Sequence, residues 1–183
     1  FLSFLADGGF QVGKLAQCYY PNGIEIEERD HFKAVEQTYQ LLEVLDDVTI
    51  FEAAIKYENL FVRVDILVKK GNQIDLIEVK SKSMNPEDPS VKFNSKKEIK
   101  SSGILYLYDM AVKRYIFCKA FPEYESIIKT FLILVDESVK STVNGLNQKY
   151  LDSYRKYARK GSITPEDFEK STLEAVVNAR AKV

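Results

Sequence analysis

Apolar positions change their spacing along this chain, and the changes mark its elements. Phe32, Val35, Tyr39, Leu42 and Leu45 recur at three-to-four spacing behind Asp30, which predicts an amphipathic helix over 30–46 with Asp30 as its N-cap. β-Branched and aromatic residues then take over, and strands are predicted at Thr49–Tyr57, Leu60–Val68 and Ile74–Lys80. Glu58-Asn59 and Lys70-Gly71-Asn72 are short links, so these strands form an antiparallel meander. Residues 84–103 are polar, carry two prolines and read as an exposed loop with some helix. Ile104, Leu105, Leu107, Tyr108, Ala111, Val112, Tyr115 and Ile116 predict a buried helix over 104–120. Thr130–Val135 is a continuous apolar run, the pattern of a central strand.

The chain ends are patterned differently. Residues 1–30 read as a short helix and turns, with Gly8-Gly9 and Pro21-Asn22-Gly23 as breakers and Val12–Ala16 as a second short helix. Thr164 followed by Pro165, Glu166 and Asp167 is a helix start, and 146–160 and 165–181 read as two helices. The order helix, three strands, helix, strand predicts an α/β fold with a mixed central sheet covered by helices. A final strand reached through a helix crossover should run parallel to an earlier one. Residues 1–145 read as one domain and 146–183 as its helical extension.

At 183 residues and 45% hydrophobic content, the chain can bury a real core. Its net charge of -1 means that any contact with nucleic acid must come from a local basic patch. Cys18 and Cys118 have neither metal-ligand spacing nor the makings of a disulfide framework, which suits buried thiols in a reducing cytoplasm. No apolar run reaches membrane-spanning length, and no signal-peptide pattern is visible. The chain opens at Phe1 rather than Met, so an absent motif excludes little.

Candidate chemistry concentrates between Glu52 and Lys80. Glu52, Asp65 and Glu78 fall on successive predicted strands, and Glu78 and Lys80 share one face of the third. Carboxylates so placed suit a hard divalent ion such as Mg2+ or Mn2+ beside a phosphodiester. Asp65 and Glu78 would supply the inner ligands and the Val79 carbonyl another. Glu52 would complete the site or hold a second ion. Lys80 would orient the nucleophile or offset developing charge, and Arg63 would steady a carboxylate or phosphate. The same alternation, taken alone, also suits the solvent face of an ordinary edge strand.

Lys82, Lys92, Lys96, Lys97 and Lys100 follow the cluster and suit either a phosphate-tracking rim or a solvated loop. Tyr150, Arg155, Lys156, Tyr157, Arg159 and Lys160 suit an ordinary amphipathic surface or a strand of nucleic acid. His31 is the one histidine, with no nucleophile elbow or suitable partner pattern around it, which argues against triad chemistry. The phosphate-binding Gly-x-x-x-x-Gly-Lys motif is absent.

Val62-Arg63-Val64-Asp65-Ile66-Leu67 and Leu76-Ile77-Glu78-Val79-Lys80-Ser81 resemble the PD-(D/E)XK nuclease superfamily, in particular its RecB-like branch. Gly9–Ala16, Thr49–Ala54 and Asn144–Gln148 are similar to a bacterial group related in pattern to CRISPR-associated RecB-type exonucleases, so the resemblance spans about residues 9–150. It implies a restriction-endonuclease-like core and a DNA-cleaving enzyme, exonuclease ahead of endonuclease, dependent on Mg2+ or Mn2+. By position it implies Asp65 and Glu78 as metal ligands, Lys80 as the catalytic lysine and Glu52 as an upstream acid.

The RecB-like branch often carries a Gln and a Tyr on the helix after the core. Here Lys113 stands in for the Gln and Tyr115 matches the Tyr, joining Arg63 and Lys82 as candidate DNA contacts. Some relatives place a metal-binding His on the helix before the sheet, where His31 and Glu36 lie, and an ordinary surface position is the competing reading. Others hold an iron–sulfur cluster on four cysteines, for which the two here do not suffice. Two other classes fit the same residues. One is a nucleic-acid-binding or scaffolding module that kept the fold and lost the chemistry. The other is a small-molecule enzyme with a different metal–carboxylate site.

Overall fold

The computed structural model describes residues 2–85 and 101–139. Their elements run in the order α1 (Leu2–Gln17), β1 (Ile24–Glu25), α2 (His31–Val44), β2 (Asp47–Tyr57), β3 (Leu60–Lys70), β4 (Gln73–Met84), α3 (Ser101–Ala120) and β5 (Lys129–Asp136), with a short 3-10 turn at Pro122–Tyr124. The strands form a five-stranded sheet in the order β1-β2-β3-β4-β5. β1 is parallel to β2, whereas β2–β3 and β3–β4 are antiparallel, so the sheet is mixed. The chain falls into two compact units, one of residues 22–78 and 92–132, the other of 1–21, 79–91 and 133–183. The boundary expected at 145/146, the helices expected over 146–160 and 165–181, and Lys92, Lys96, Lys97 and Lys100 lie outside the described residues.

The larger core belongs to the 22–78/92–132 unit. Ile50, Ile55, Ile66, Leu67, Ile74, Leu76, Ile116 and Phe117 are all almost fully buried. Each such side chain is worth about 1.5–3 kcal/mol relative to exposure. α2 packs on β2, and α3 on β2 and β3. Asp30 caps α2 as expected, its Oδ1 accepting from the Lys33 amide at 3.0 Å. At the other end of α2, the Lys69 ammonium from β3 donates to the carbonyls of Leu42 (2.7 Å) and Leu45 (2.8 Å). A cation there also meets the negative end of the helix dipole. Both hairpins have two-residue loops with positive φ at the first position, Glu58 (51°) and Gly71 (52°), the pattern of a type II′ turn.

β2 is much longer than β1, so among the described residues no strand continues along its outer edge beyond Glu25. Other groups close that edge. The Ile26 amide donates to the Phe51 carbonyl at 3.0 Å. The Ala54 amide donates to Thr38 Oγ1 at 3.0 Å, and Thr38 in turn donates to the Ala34 carbonyl at 2.9 Å. Tyr39 Oη donates to the Lys56 carbonyl at 3.0 Å and accepts from the Lys56 amide at 3.4 Å. Burial pushes the Tyr39 hydroxyl pKa above its ordinary value, the Lys56 backbone contact opposing. Side chains of α2 thus take over where β1 stops.

In the other unit, α1 runs through the Gly8-Gly9 expected to break it. A helical glycine costs about 1 kcal/mol relative to alanine, a penalty rather than a prohibition. The Glu137 amide donates to the Met84 carbonyl at 3.0 Å and Ser83 Oγ to Glu137 Oε2 at 2.8 Å, which fastens the end of β4 to the residue after β5.

Three further expectations need correction. The strand β1 falls in a segment read as turn, because two residues are too few to show alternation. β5 stands last in the sheet order rather than central, and Thr130 and Phe131 are exposed. A continuous apolar run allows burial on both faces without requiring it. α3 is only half buried: Leu105, Tyr108, Val112 and Tyr115 are 51–69% exposed, while Met110, Ile116, Phe117 and Cys118 face inward. Leu105, Tyr108, Val112 and Tyr115 follow three-four-three spacing, which places them along one face of the helix, and Leu107 beside them is 41% exposed.

Two stability outcomes follow. A Cβ on Gly23 would lie 2.1 Å from the buried Phe51 ring, so Gly23→Ala should cost about 1–3 kcal/mol in urea unfolding. Thr38→Val should cost about 1–3 kcal/mol by leaving the buried Ala54 amide without an acceptor, whereas Thr38→Ser should retain most of the stability.

Candidate metal centre

Strand register brings the acidic positions to one level. Phe51 lies opposite Ile66 and Ala53 opposite Val64, so Glu52 and Asp65 share the intervening level. The β3–β4 ladder ends at Ile66 opposite Ile77, and Asp65 and Glu78 are the residues immediately beyond that pair. Directly opposed side chains have Cβ atoms about 4.5–5.5 Å apart, and like charges so placed repel. Glu52 and Asp65 are half-buried and Glu78 is 3% exposed, so this level needs positive charge nearby.

The backbone is irregular at the same level. Glu52 has φ 55°, a left-handed conformation that typically costs a non-glycine residue about 1–3 kcal/mol. Groups facing one edge of a regular strand recur every second residue. Here the edge-facing groups are Phe51 and then Ala54 and Lys56, so one residue is out of step, and Glu52 is the residue that absorbs it.

Arg63 secures this distortion. Its Nη1 donates to the carbonyls of Glu52 and Ile26, each at 3.2 Å, and its Nη2 to that of Glu28 at 2.6 Å. The guanidinium, expected to steady a carboxylate or a phosphate, ties the segment before α2 to β2 through these three carbonyls.

One counter-charge for Glu78 comes from α3. Lys113 Nζ donates to Glu78 Oε2. The same ammonium lies 3.8 Å from Asp109 Oδ1, one helical turn earlier. Lys113, a candidate DNA contact by its sequence position on the helix after the core, here meets this carboxylate. The available signal was a lysine interrupting the apolar run Ala111-Val112, one turn ahead of the buried Ile116-Phe117.

Tyr115 is about 200° further round the helix from Lys113. It is 52% exposed, with the Lys119 ammonium 5.7 Å from its ring centroid, and faces away from the Glu78 contact. Val79 and Lys80, half-buried, and Lys82, exposed, continue β4 into the second unit. His31 is exposed and stacks on Phe61 with ring centroids 4.1 Å apart. Burial pushes the Cys118 thiol pKa up, with Arg114 and Lys119 pulling down and Glu125 pushing up, which suits an inert thiol.

Among the described residues, no group of three or more His, Cys, Asp or Glu side chains is arranged to hold a metal ion. Mg2+ asks for less: it keeps several waters and is commonly held by one or two carboxylates together with substrate phosphate. The donor chemistry of Asp65 and Glu78, which follow directly on the last paired residues of β3 and β4, fits that requirement. Among the described residues no helix is long and apolar enough to cross a membrane. No protein-family model, curated protein or solved structure matches the chain.

The Glu78–Lys113 pair should behave as a buried couple in urea unfolding. Lys113→Met alone should cost about 3–5 kcal/mol. Adding Glu78→Gln should recover part of that loss, giving a double variant more stable than the sum of the single changes requires.

Proposed function

We propose that this chain is a metal-dependent nuclease of RecB-like type that hydrolyses DNA phosphodiesters, as an exonuclease ahead of an endonuclease. The observation that carries the reading is the antiparallel β3–β4 register, which runs to Ile66 opposite Ile77 and leaves Asp65 and Glu78 as the residues immediately beyond that pair, on the two segments that resemble the PD-(D/E)XK signature. Asp65 and Glu78 would hold Mg2+ or Mn2+, with the Val79 carbonyl and Glu52 as further donors. Such an ion, when bound, makes water a stronger nucleophile and offsets charge on the phosphate. Lys80 follows Glu78 by two residues on β4 and would orient the attacking water or meet a phosphate oxygen. The strained backbone at Glu52 also supports a functional reading, because such outliers cluster at active sites.

A second reading has its own observation. The Lys113 ammonium rests on Glu78, where a cation would bind, as it would in a nucleic-acid-binding or scaffolding module that keeps the fold without the chemistry.

Labelled single- and double-stranded DNA, incubated with the protein in Mn2+ or in chelator, separates the two. Cleavage in Mn2+ that chelator stops is expected. Asp65→Ala and Lys80→Ala should each lower it about 100-fold or more with the fold retained by circular dichroism. Retained cutting by both variants refutes the assignment of these residues, and DNA binding with no cutting by the parent favours the module.

A further inference from the structure

We propose that Lys113 is a tethered counter-cation which a divalent ion must displace from Glu78, and that Asp109 receives the displaced ammonium. The inference rests on the metal-dependent reading above and names a control on that same site. Glu78 is 3% exposed, and a carboxylate so deeply buried needs a cation whether or not a metal is bound. Lys113 supplies one through its contact with Oε2.

The lysine is held on a firm base. Ile116 and Phe117, the next residues on its helix to face the core, are 1% and 0% exposed, so the backbone of α3 is fixed by packing. The flexible part is the four-carbon stem of the side chain. Asp109 lies one turn back on the same helix, 3.8 Å from the ammonium, and its side chain is 36% exposed against 4% for Glu78. The ammonium therefore stands between two carboxylates at different depths.

A divalent ion at Asp65 and Glu78 would take over the neutralisation of Glu78. Its charge would then oppose an ammonium still lying on the same oxygen. A small turn of the stem toward Asp109 separates the two cations and keeps the lysine paired in a wetter place. Metal affinity is then set partly by the work of moving Lys113, and Asp109 lowers that work.

Calorimetric titration of the full chain with Mn2+, together with thermal unfolding in Mn2+ and in chelator, tests this. Lys113→Met should bind Mn2+ about tenfold more tightly than the parent. It should also gain more in Tm on adding Mn2+, from a lower starting Tm in chelator. Asp109→Asn should bind about threefold more weakly, and that loss should vanish when Lys113→Met is also present. If Lys113→Met fails to fold, the surface variant Asp109→Asn still decides: weaker binding supports the proposal and unchanged binding overturns it. Equal Mn2+ affinity in parent and variants overturns the role of Lys113 and leaves the metal-dependent reading standing. No Mn2+ uptake by any of them overturns both.

Discussion

The backbone edge of β2 is the constraint around which the 22–78/92–132 unit is arranged. A strand's amides and carbonyls must find partners when buried, and β1 offers only two residues to an eleven-residue neighbour. The deficit is met by groups that lie far apart in sequence: Thr38 and Tyr39 from α2, and Arg63 from β3. Each contact holds a helix or a loop against the sheet while it satisfies the strand. Lys69 extends the same logic to the end of α2, whose last carbonyls it caps from β3. The position of α2 is therefore fixed by hydrogen bonds as well as by the core contacts of Ala34 and Leu42.

That arrangement also carries the irregularity at Glu52. Edge-facing groups are satisfied at Phe51, then at Ala54 and Lys56, so the strand must lose its alternation once between them. The change falls at the level where Asp65 lies opposite, with Glu78 just beyond the last paired residue of β4. Arg63 accepts the consequence by binding the Glu52 carbonyl. The scaffold and the candidate site thus meet at one residue. A substitution at Arg63 would act through backbone geometry before it acted through any phosphate.

Much of this architecture was legible in the residue pattern. α2 and its Asp30 cap, the three-strand meander and its tight turns follow from periodicity and turn chemistry, which are local. The pairing of β3 with β4 up to Ile66 and Ile77, beside Asp65 and Glu78, follows from the same hairpin arithmetic. Long-range pairing was not legible. Nothing in the spacing of Thr38 or Arg63 announces which carbonyl or amide each one serves, because those partners lie 11–37 residues away. Apolar content also misled where it outran burial. Leu105, Tyr108 and Val112 count toward a buried helix in the sequence and stand exposed on α3. A residue type can report that a surface is apolar, but the neighbours that cover it come only from the fold.

The short Asp…Glu-x-Lys signature has the same limitation, and Lys113 shows why. Asp65, Glu78 and Lys80 would be present in the sequence of an active enzyme and of a silent one alike. What separates the two is the free energy of the buried carboxylate with and without a metal. That balance includes every charge near Glu78, not only those in the motif. An ammonium supplied from a different element enters it with the same sign as the metal, so on the proposed reading it would stabilise the metal-free fold at the expense of metal binding. On the proposed reading, a lysine that secures the fold and a divalent ion that would confer activity would compete for one oxygen. The outcome turns on how readily α3 lets its side chain go, a property of helix packing and of Asp109 rather than of the signature itself.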